Sequence, residues 1–136
     1  MKGIDRIVYL LKQAKTFYIA TSADNQPSVR PFNAVVKHNG KIYLYTNSRT
    51  SAYKQISENP FIGICTMLDE DRWLKLTGTA IFDASSGAKK AMLDANPSLR
   101  KMYNENDKIF EVFYLDKLTA KIHSNYDSPE VICTSK

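Results

Sequence analysis

Asn39-Gly40 is the strongest turn signal in the chain, and its flanks constrain the fold. An Asn-Gly pair accepts the two positive-φ positions of a type I′ turn at little cost, so it closes tight antiparallel hairpins. The runs on either side, 28–37 and 41–46, are rich in β-branched and aromatic residues and read as its two strands. Similar runs at 16–22, 61–68, 73–83, 109–115 and 119–123 predict further strands. Residues 23–27 form a turn between the first two, Asp69-Glu70-Asp71 an acidic turn, and Asp116-Lys117-Leu118 the turn of a final hairpin. Ile4, Ile7, Val8, Leu11 and Ala14 recur at helical spacing, so 3–15 is an amphipathic helix. Shorter helices are expected at the segment ending in Asn59-Pro60, at 85–96 and at 97–103.

Many short antiparallel strands would leave exposed edges in an open sheet, and closure into a small barrel removes them. The fold class is therefore mainly β within α+β. Ile19, Val35, Ile42, Leu44, Ile62, Ile64 and Leu76 fill the barrel, and the helices cap it. The 136 residues fit one domain, 1–124, with a polar tail at 125–136 that is loose or docks locally. A hydrophobic content of 43% and a charged content of 24% are those of a soluble globular protein. No apolar run reaches membrane-spanning length, and the N-terminus lacks an export signal, which points to the cytoplasm. The net charge of +5 is scattered, so it suits a phosphorylated small molecule or plain solubility as well as nucleic acid. His38 and His123 are isolated, and Cys65 and Cys133 show no metal or redox spacing. Cys65 is expected to pack as a small hydrophobe in its apolar strand, and Cys133 to lie in the tail.

Two segments carry candidate chemistry. In Leu44-Tyr45-Thr46-Asn47-Ser48-Arg49-Thr50-Ser51-Ala52-Tyr53-Lys54 a strand empties into hydroxyl residues at the start of a helix. Free amides and the helix dipole favour an anion there. Lys54 sits in that first turn, where the dipole disfavours a cation, and Arg49 lies just before it. Together they suggest a phosphate cradle; a hydroxyl-capped surface helix with solvated cations is the other reading. In Val29-Arg30-Pro31-Phe32-Asn33 the proline removes a ladder donor, which marks either a protected edge or a bulge whose backbone is free for a ligand.

The order of these motifs resembles a known family. It runs Arg-Pro-Phe strand, Asn-Gly hairpin, strand ending Tyr-Thr-Asn, hydroxyl loop, Lys-Gln-Ile helix, Asn-Pro, strand, then Trp-Leu-Lys-Leu-Thr-Gly. It is similar to the pyridoxamine 5′-phosphate oxidase-like FMN-binding split β-barrels, in particular short members related to nitroimidazole-resistance proteins. The resemblance covers roughly 16–124. It implies a six-stranded antiparallel split barrel and a homodimer with FMN in clefts between subunits. It places Arg30, Pro31, Phe32 and Asn33 along the flavin ring, and Tyr45, Thr46 and Asn47 at the ring and ribityl chain. Ser48, Arg49, Ser51 and Lys54 fall at the phosphate. Trp73 falls where family members reach the flavin, acting from the partner subunit; an ordinary core or interface anchor is the other reading of that residue.

The chain departs from true pyridoxamine phosphate oxidases. It lacks their extended C-terminal segment, and Ser51-Ala52 stands where they carry an Arg-Lys pair. Vitamin B6 oxidation is accordingly not the expected activity. A flavin brings its own redox chemistry, which fits a sequence with no triad, carboxylate pair or metal site. The expectation is an FMN-dependent oxidoreductase using NAD(P)H with a small aromatic, nitro or flavin-type acceptor. The alternatives are a flavin-binding protein without turnover and a small β-barrel that binds nucleic acid. Against the last, the aromatics do not interleave with a basic strand face.

Overall fold

The structure is a computed structural model that describes residues 1–134. Its elements run α1 (Gly3–Ala14), β1 (Phe17–Ala23), β2 (Gln26–Phe32), β3 (Val36–His38), β4 (Lys41–Asn47), α2 (Ser51–Glu58), β5 (Phe61–Met67), β6 (Arg72–Asp83) and α3 (Ser86–Ala95). A 3-10 turn at Pro97–Lys101, β7 (Phe110–Ser124) and β8 (Glu130–Thr134) complete it. The strands form one antiparallel sheet in the order β2-β1-β5-β6-β7-β4-β3, with β8 beside β7.

The two ends of that path lie close together. β2 ends at Phe32 and β3 begins at Val36, so only residues 33–35 link them. Three residues bridge little more than about 14 Å even when fully extended. The sheet must therefore curl, and β1 and β4, far apart in the path, share one core. Ile19, Val35, Ile42, Leu44, Ile62, Ile64 and Leu76 are all buried there, joined by Phe17, Leu74, Phe113 and Ile122. The amphipathic α1 closes this core with Ile7, Val8 and Leu11. A smaller cluster of Tyr43, Ala88, Met92, Leu93, Leu99, Phe110 and Val112 seats α3 and the 3-10 turn against β4 and β7. The architecture is the split β-barrel with an N-terminal helix and short capping helices, built from eight strands rather than the six the resemblance implied, because 28–37 divides into β2 and β3 and the C-terminal segment adds β8.

Asn39 and Gly40 adopt φ of 50° and 72°, as their hairpin requires. Asp24 and Asn25 do the same between β1 and β2, at φ of 52° and 60°. Three expectations are corrected. The strand expected over 28–37 is two strands, because its chain crosses from one end of the sheet to the other at 33–35. The hairpin expected around Asp116-Lys117-Leu118 is one continuous strand, β7. β6 spans three steps from Thr77 to Ala80 while β7 spans four from Thr119 to Leu115, so β7 carries one extra residue as a bulge. Lys117, at φ 50°, takes up the bend. The segment after residue 124, expected to be loose or to dock locally, docks beside β7 as β8, whose Glu130 also pairs with Arg6 of α1. Cys65 is exposed, since the inward alternation of Ile62, Ile64 and Thr66 turns Phe61, Gly63, Cys65 and Met67 outward.

Candidate functional site

Where β2 leaves the sheet, β4 ends and α2 begins, the chain encloses a cavity of about 400 Å³. Arg30, Pro31, Phe32, Asn33, Tyr45, Thr46, Asn47, Thr50, Ser51, Ala52 and Tyr103 line it. β2 is a terminal strand of the sheet, so the backbone groups on its far side have no ladder partner. Pro31 lacks an N–H to offer there, which keeps the edge from recruiting another strand along its whole length.

The opposite wall comes from the β4–α2 junction. The Asn47 Oδ1 accepts from the Arg49 N–H at 2.9 Å, and Thr50 Oγ1 donates to the Asn47 carbonyl at 2.7 Å. These bonds turn the chain sharply from strand to helix. Thr50 caps α2, its hydroxyl accepting from the Tyr53 N–H at 3.4 Å. The amides of Ser51 and Ala52 at the head of α2 are left for a ligand, and no acidic residue stands in the first turn. This end of the cavity therefore favours an anion.

Arg30 strengthens that bias. Opposite Ile19 in the β1–β2 ladder, it turns to the inner side of the sheet. Its guanidinium donates to Thr21 Oγ1 at 2.9 Å and to Gln55 Oε1 at 3.1 Å, and Thr21 donates to the same Gln55 oxygen at 2.6 Å. All its acceptors are neutral, and no carboxylate pairs with it among the described residues. A half-buried cation without a counter-charge, held by neutral oxygens beside a helix start, has the chemistry to take an anion such as a phosphate.

The other end is aromatic. Tyr45, Tyr103 and Phe110 pack together, with Tyr103 and Phe110 stacked at 4.9 Å between centroids. Asn47 Nδ2 donates to the Tyr103 hydroxyl at 3.0 Å and fixes that ring in the wall. Burial, then the neighbouring Tyr103, raises the Tyr45 pKa above the usual phenol range, so Tyr45 is a neutral hydroxyl at physiological pH.

The structure thus brings together Arg30, Pro31, Phe32, Asn33, Tyr45, Thr46, Asn47 and Ser51 of the residues singled out in the sequence. Ser48, Arg49 and Lys54 flank the cavity without lining it. The Ser48 amide is held by the Ile109 carbonyl at 2.9 Å, while Arg49 and Lys54 are exposed. Trp73 lies away from the cavity at the start of β6, stacked on His123 at 5.6 Å. Tyr103, Thr50 and Ala52 line the cavity without having been singled out as site residues. Tyr103 follows a Pro-initiated turn far along the chain, and only packing brings it to Tyr45; Thr50 was legible as the cap before the helix.

A protein-family model described as pyridoxamine 5′-phosphate oxidase matches residues 4–123. No curated protein matches the chain. Among solved structures, a NimC/NimA family protein from Clostridium acetobutylicum is 37% identical with a TM-score of 0.89, over 96% of this chain and 91% of that one. A pyridoxamine 5′-phosphate oxidase-related, FMN-binding protein from Nostoc punctiforme is 16% identical with a TM-score of 0.66, over 96% of each chain. A haem-binding protein from Mycobacterium smegmatis is 14% identical with a TM-score of 0.64, over 92% of this chain and 57% of that one. The last two likenesses show the fold alone.

Proposed function

Because the chain belongs to the pyridoxamine 5′-phosphate oxidase family, we propose that its cavity holds FMN and that the protein is an NAD(P)H-dependent oxidoreductase for a small aromatic, nitro or flavin-type acceptor. The observation that carries the reading is Arg30, an uncompensated guanidinium lining a cavity of about 400 Å³ beside the open amides of α2. Arg30, Ser51 and the α2 amides hold the phosphate. The free edge of β2 at Pro31–Asn33 meets the polar edge of the ring, and Tyr45, Asn47 and Tyr103 position it from the opposite wall. Ser48, Arg49 and Lys54 act from the rim, where two exposed cations raise the local concentration of an anionic ligand. Bound there, the flavin supplies the electron transfer, and the chain supplies binding, orientation and shielding from water.

Among the described residues no histidine, cysteine or methionine lines the cavity; of the side chains that ligate a haem iron only tyrosines stand there, the Tyr103 hydroxyl is held by Asn47, and the raised pKa of Tyr45 disfavours the phenolate that iron binds, which favours a flavin over haem. The chain works as a homodimer. The outer face of β1, β2 and β5 is apolar and open: Tyr18 is 49% exposed, Val29 67%, Phe61 68% and Met67 54%. Tyr18 lies in register with both Pro31 and Cys65, and Met67 with Trp73, so this face runs from the cavity rim to Trp73. A patch of that kind suits a second copy, and a two-fold interface there would carry Trp73 of one protomer toward the cavity of the other. Two free cysteines suit the reducing cytoplasm.

The test is the identity of the cofactor. Purified protein should be yellow and release FMN on denaturation, and NADH or NADPH should bleach it when an acceptor is absent. Release of FAD or haem, or a colourless protein that takes up no FMN, would refute the reading. FMN that no nicotinamide donor reduces would leave a binding protein without this turnover.

A further inference from the structure

Lys89 is a buried cation that neither the cavity nor the surface ion pairs account for. It is 8% exposed and stands fourth in α3, in the turn where the helix dipole disfavours positive charge. Among the described residues no carboxylate pairs with it. Its ammonium donates at 3.1 Å to one neutral acceptor, the Asp107 carbonyl. A cation taken out of water near a helix start, with a single neutral partner, costs the fold free energy rather than supplying it. Stability alone therefore does not explain Lys89, and its partner points to another reason.

Asp107 belongs to a loop bonded mainly to itself. Its Oδ2 accepts from the Asn104 N–H at 2.9 Å, and its own N–H donates to the Asn104 carbonyl at 3.1 Å. Asn104 Oδ1 accepts from the Asn106 N–H at 2.8 Å. Residues 104–107 thus form one rigid piece. Among the described residues two side chains tie that piece to its surroundings, Arg100 through Glu105 at the surface and the buried Lys89 through Asp107. Both ends of the loop reach the Arg30–Tyr103 cavity. On one side Tyr103 lines it, stacked on Phe110 at 4.9 Å, its hydroxyl accepting from Asn47 Nδ2 at 3.0 Å. On the other, the Ile109 carbonyl holds the Ser48 amide at 2.9 Å, and Phe110 lies opposite Asn47 in the β4–β7 ladder. Lys89 itself does not line the cavity. It holds the piece of chain that joins the Tyr103 wall to the Asn47–Ser48 turn.

We propose that Lys89 is a positioning residue for this cavity: its ammonium seats the 104–107 loop, so that Tyr103 and the Asn47–Ser48 turn stand in place before the cofactor arrives. A wall ordered beforehand spares the ligand the entropy of ordering it. The cost of the buried cation is then offset in cofactor affinity rather than in stability. This role rests on the flavin reading of the cavity.

Lys89→Met keeps the length of the side chain and removes its donor and charge. The full chain is compared with the parent, with FMN bound and after its removal. Without FMN the variant should melt no lower than the parent, because a buried cation is gone and the carbonyl of the half-buried Asp107 turns to water. Amide hydrogen exchange over 103–109 should quicken about tenfold, the loss of one charge-assisted bond, while exchange in β5 and β6 stays the same. FMN affinity, read by flavin fluorescence, should fall a few-fold. Tyr103→Phe made in the Lys89→Met background should cost clearly less affinity than it does alone, because the same wall is already loosened. Lys89→Arg keeps charge and donors and should recover part of both the exchange protection and the affinity. A Lys89→Met protein that fails to fold, or melts well below the parent, shows that Lys89 holds up the fold itself and overturns the proposal. So does unchanged exchange over 103–109, an FMN affinity equal to the parent's, or a Tyr103→Phe effect of the same size in both backgrounds. A parent that takes up no FMN refutes the flavin reading and this role with it, whereas the other adverse outcomes, on a parent that binds FMN, overturn this role alone.

Discussion

Replacing Arg30 by methionine separates a binding role from a structural one. The methionine keeps much of the aliphatic stem and removes the charge and the fork of donors. In the unliganded protein the loss is modest. Two hydrogen bonds to neutral acceptors disappear, but Thr21 and Gln55 keep their mutual bond at 2.6 Å, so neither is stranded. Ordinary hydrogen bonds contribute about 0.5–1.5 kcal/mol each, so stability should fall by about 1–2 kcal/mol. For a chain of 136 residues that lowers the melting temperature by roughly 3–8 °C. The effect on FMN should be much larger. A charge-assisted contact to phosphate contributes about 1.5–3 kcal/mol, and a bidentate one lies at the upper end, so the dissociation constant should rise roughly tenfold to more than a hundredfold. Flavin fluorescence quenching measures the affinity, and thermal unfolding without FMN measures the stability. Arg30→Lys restores charge but not the fork and should recover only part of the affinity. Lys54→Ala, outside the lining and exposed, should cost less than Arg30→Met. An Arg30→Met protein that melts lower but binds FMN as the parent does would refute the argument, and the guanidinium would be a strut between β2 and α2.

Other outcomes follow from particular contacts. Tyr103→Phe keeps the ring against Phe110 but removes the acceptor of Asn47 Nδ2, so FMN affinity should drop a few-fold with the fold unchanged, as flavin titration will show. Gly78→Ala brings a Cβ to 3.2 Å from the Asp116 carbonyl oxygen and 3.3 Å from Leu115 Cβ, at the β6–β7 bulge; denaturant unfolding should show a loss of about 1–3 kcal/mol. The buried Tyr43 hydroxyl donates to Asp83 at 2.6 Å, and this bond first of all holds the Asp83 pKa below the ordinary carboxylate range. A depressed carboxylate stabilises the fold above the unfolded pKa of about 4 and loses that contribution as pH falls through its lower folded value. Tyr43→Phe should therefore cost about 1–2 kcal/mol at neutral pH, and the difference from the parent should shrink below about pH 4. Burial, then the same bond, raises the Tyr43 pKa, so the difference should shrink again as pH climbs past the ordinary phenol value of about 10. A gap that stays constant from pH 2 to 7 would refute the coupling.

The strands that alternate cleanly were legible because their period is short and local. Ile62, Ile64 and Thr66 point inward and their neighbours outward, and the same reading placed the core on Ile19, Ile42, Leu44 and Leu76. What misled was the chemistry of turns. Asp116-Lys117-Leu118 has the composition of a hairpin turn, yet Leu115 and Leu118 are both buried, and the chain gains more by keeping them against β6 and absorbing Lys117 in a bulge. The apolar surroundings of Cys65 suggested burial, but the two-residue period overrides the average hydropathy of a strand. Likewise no local signal in 28–37 says that the chain must change from one end of a curled sheet to the other, since closure is a property of the whole sheet.

The same limit explains which half of the cavity could be read. Asn47, Thr50 and Ser51 are near neighbours in sequence, and their turn, cap and helix start follow from a few residues. The partners of Arg30 are another matter. Thr21 and Gln55 come from β1 and α2, and only the curl of the sheet sets them beside β2. In sequence Arg30 is a basic residue before a proline, equally an edge protector; in the fold it has neutral partners and no counter-charge. Arg49 is exposed in the turn before α2 and Lys54 is exposed on α2 itself, a helix capped by Thr50. Position in the fold therefore separates three cations that the sequence presents together. The cation enclosed without a carboxylate lowers its energy most when a phosphate arrives, whereas an exposed lysine exchanges one hydrated environment for another and gains little. That difference is why Arg30 should dominate FMN affinity, with Arg49 and Lys54 acting chiefly on the rate of encounter and its dependence on salt.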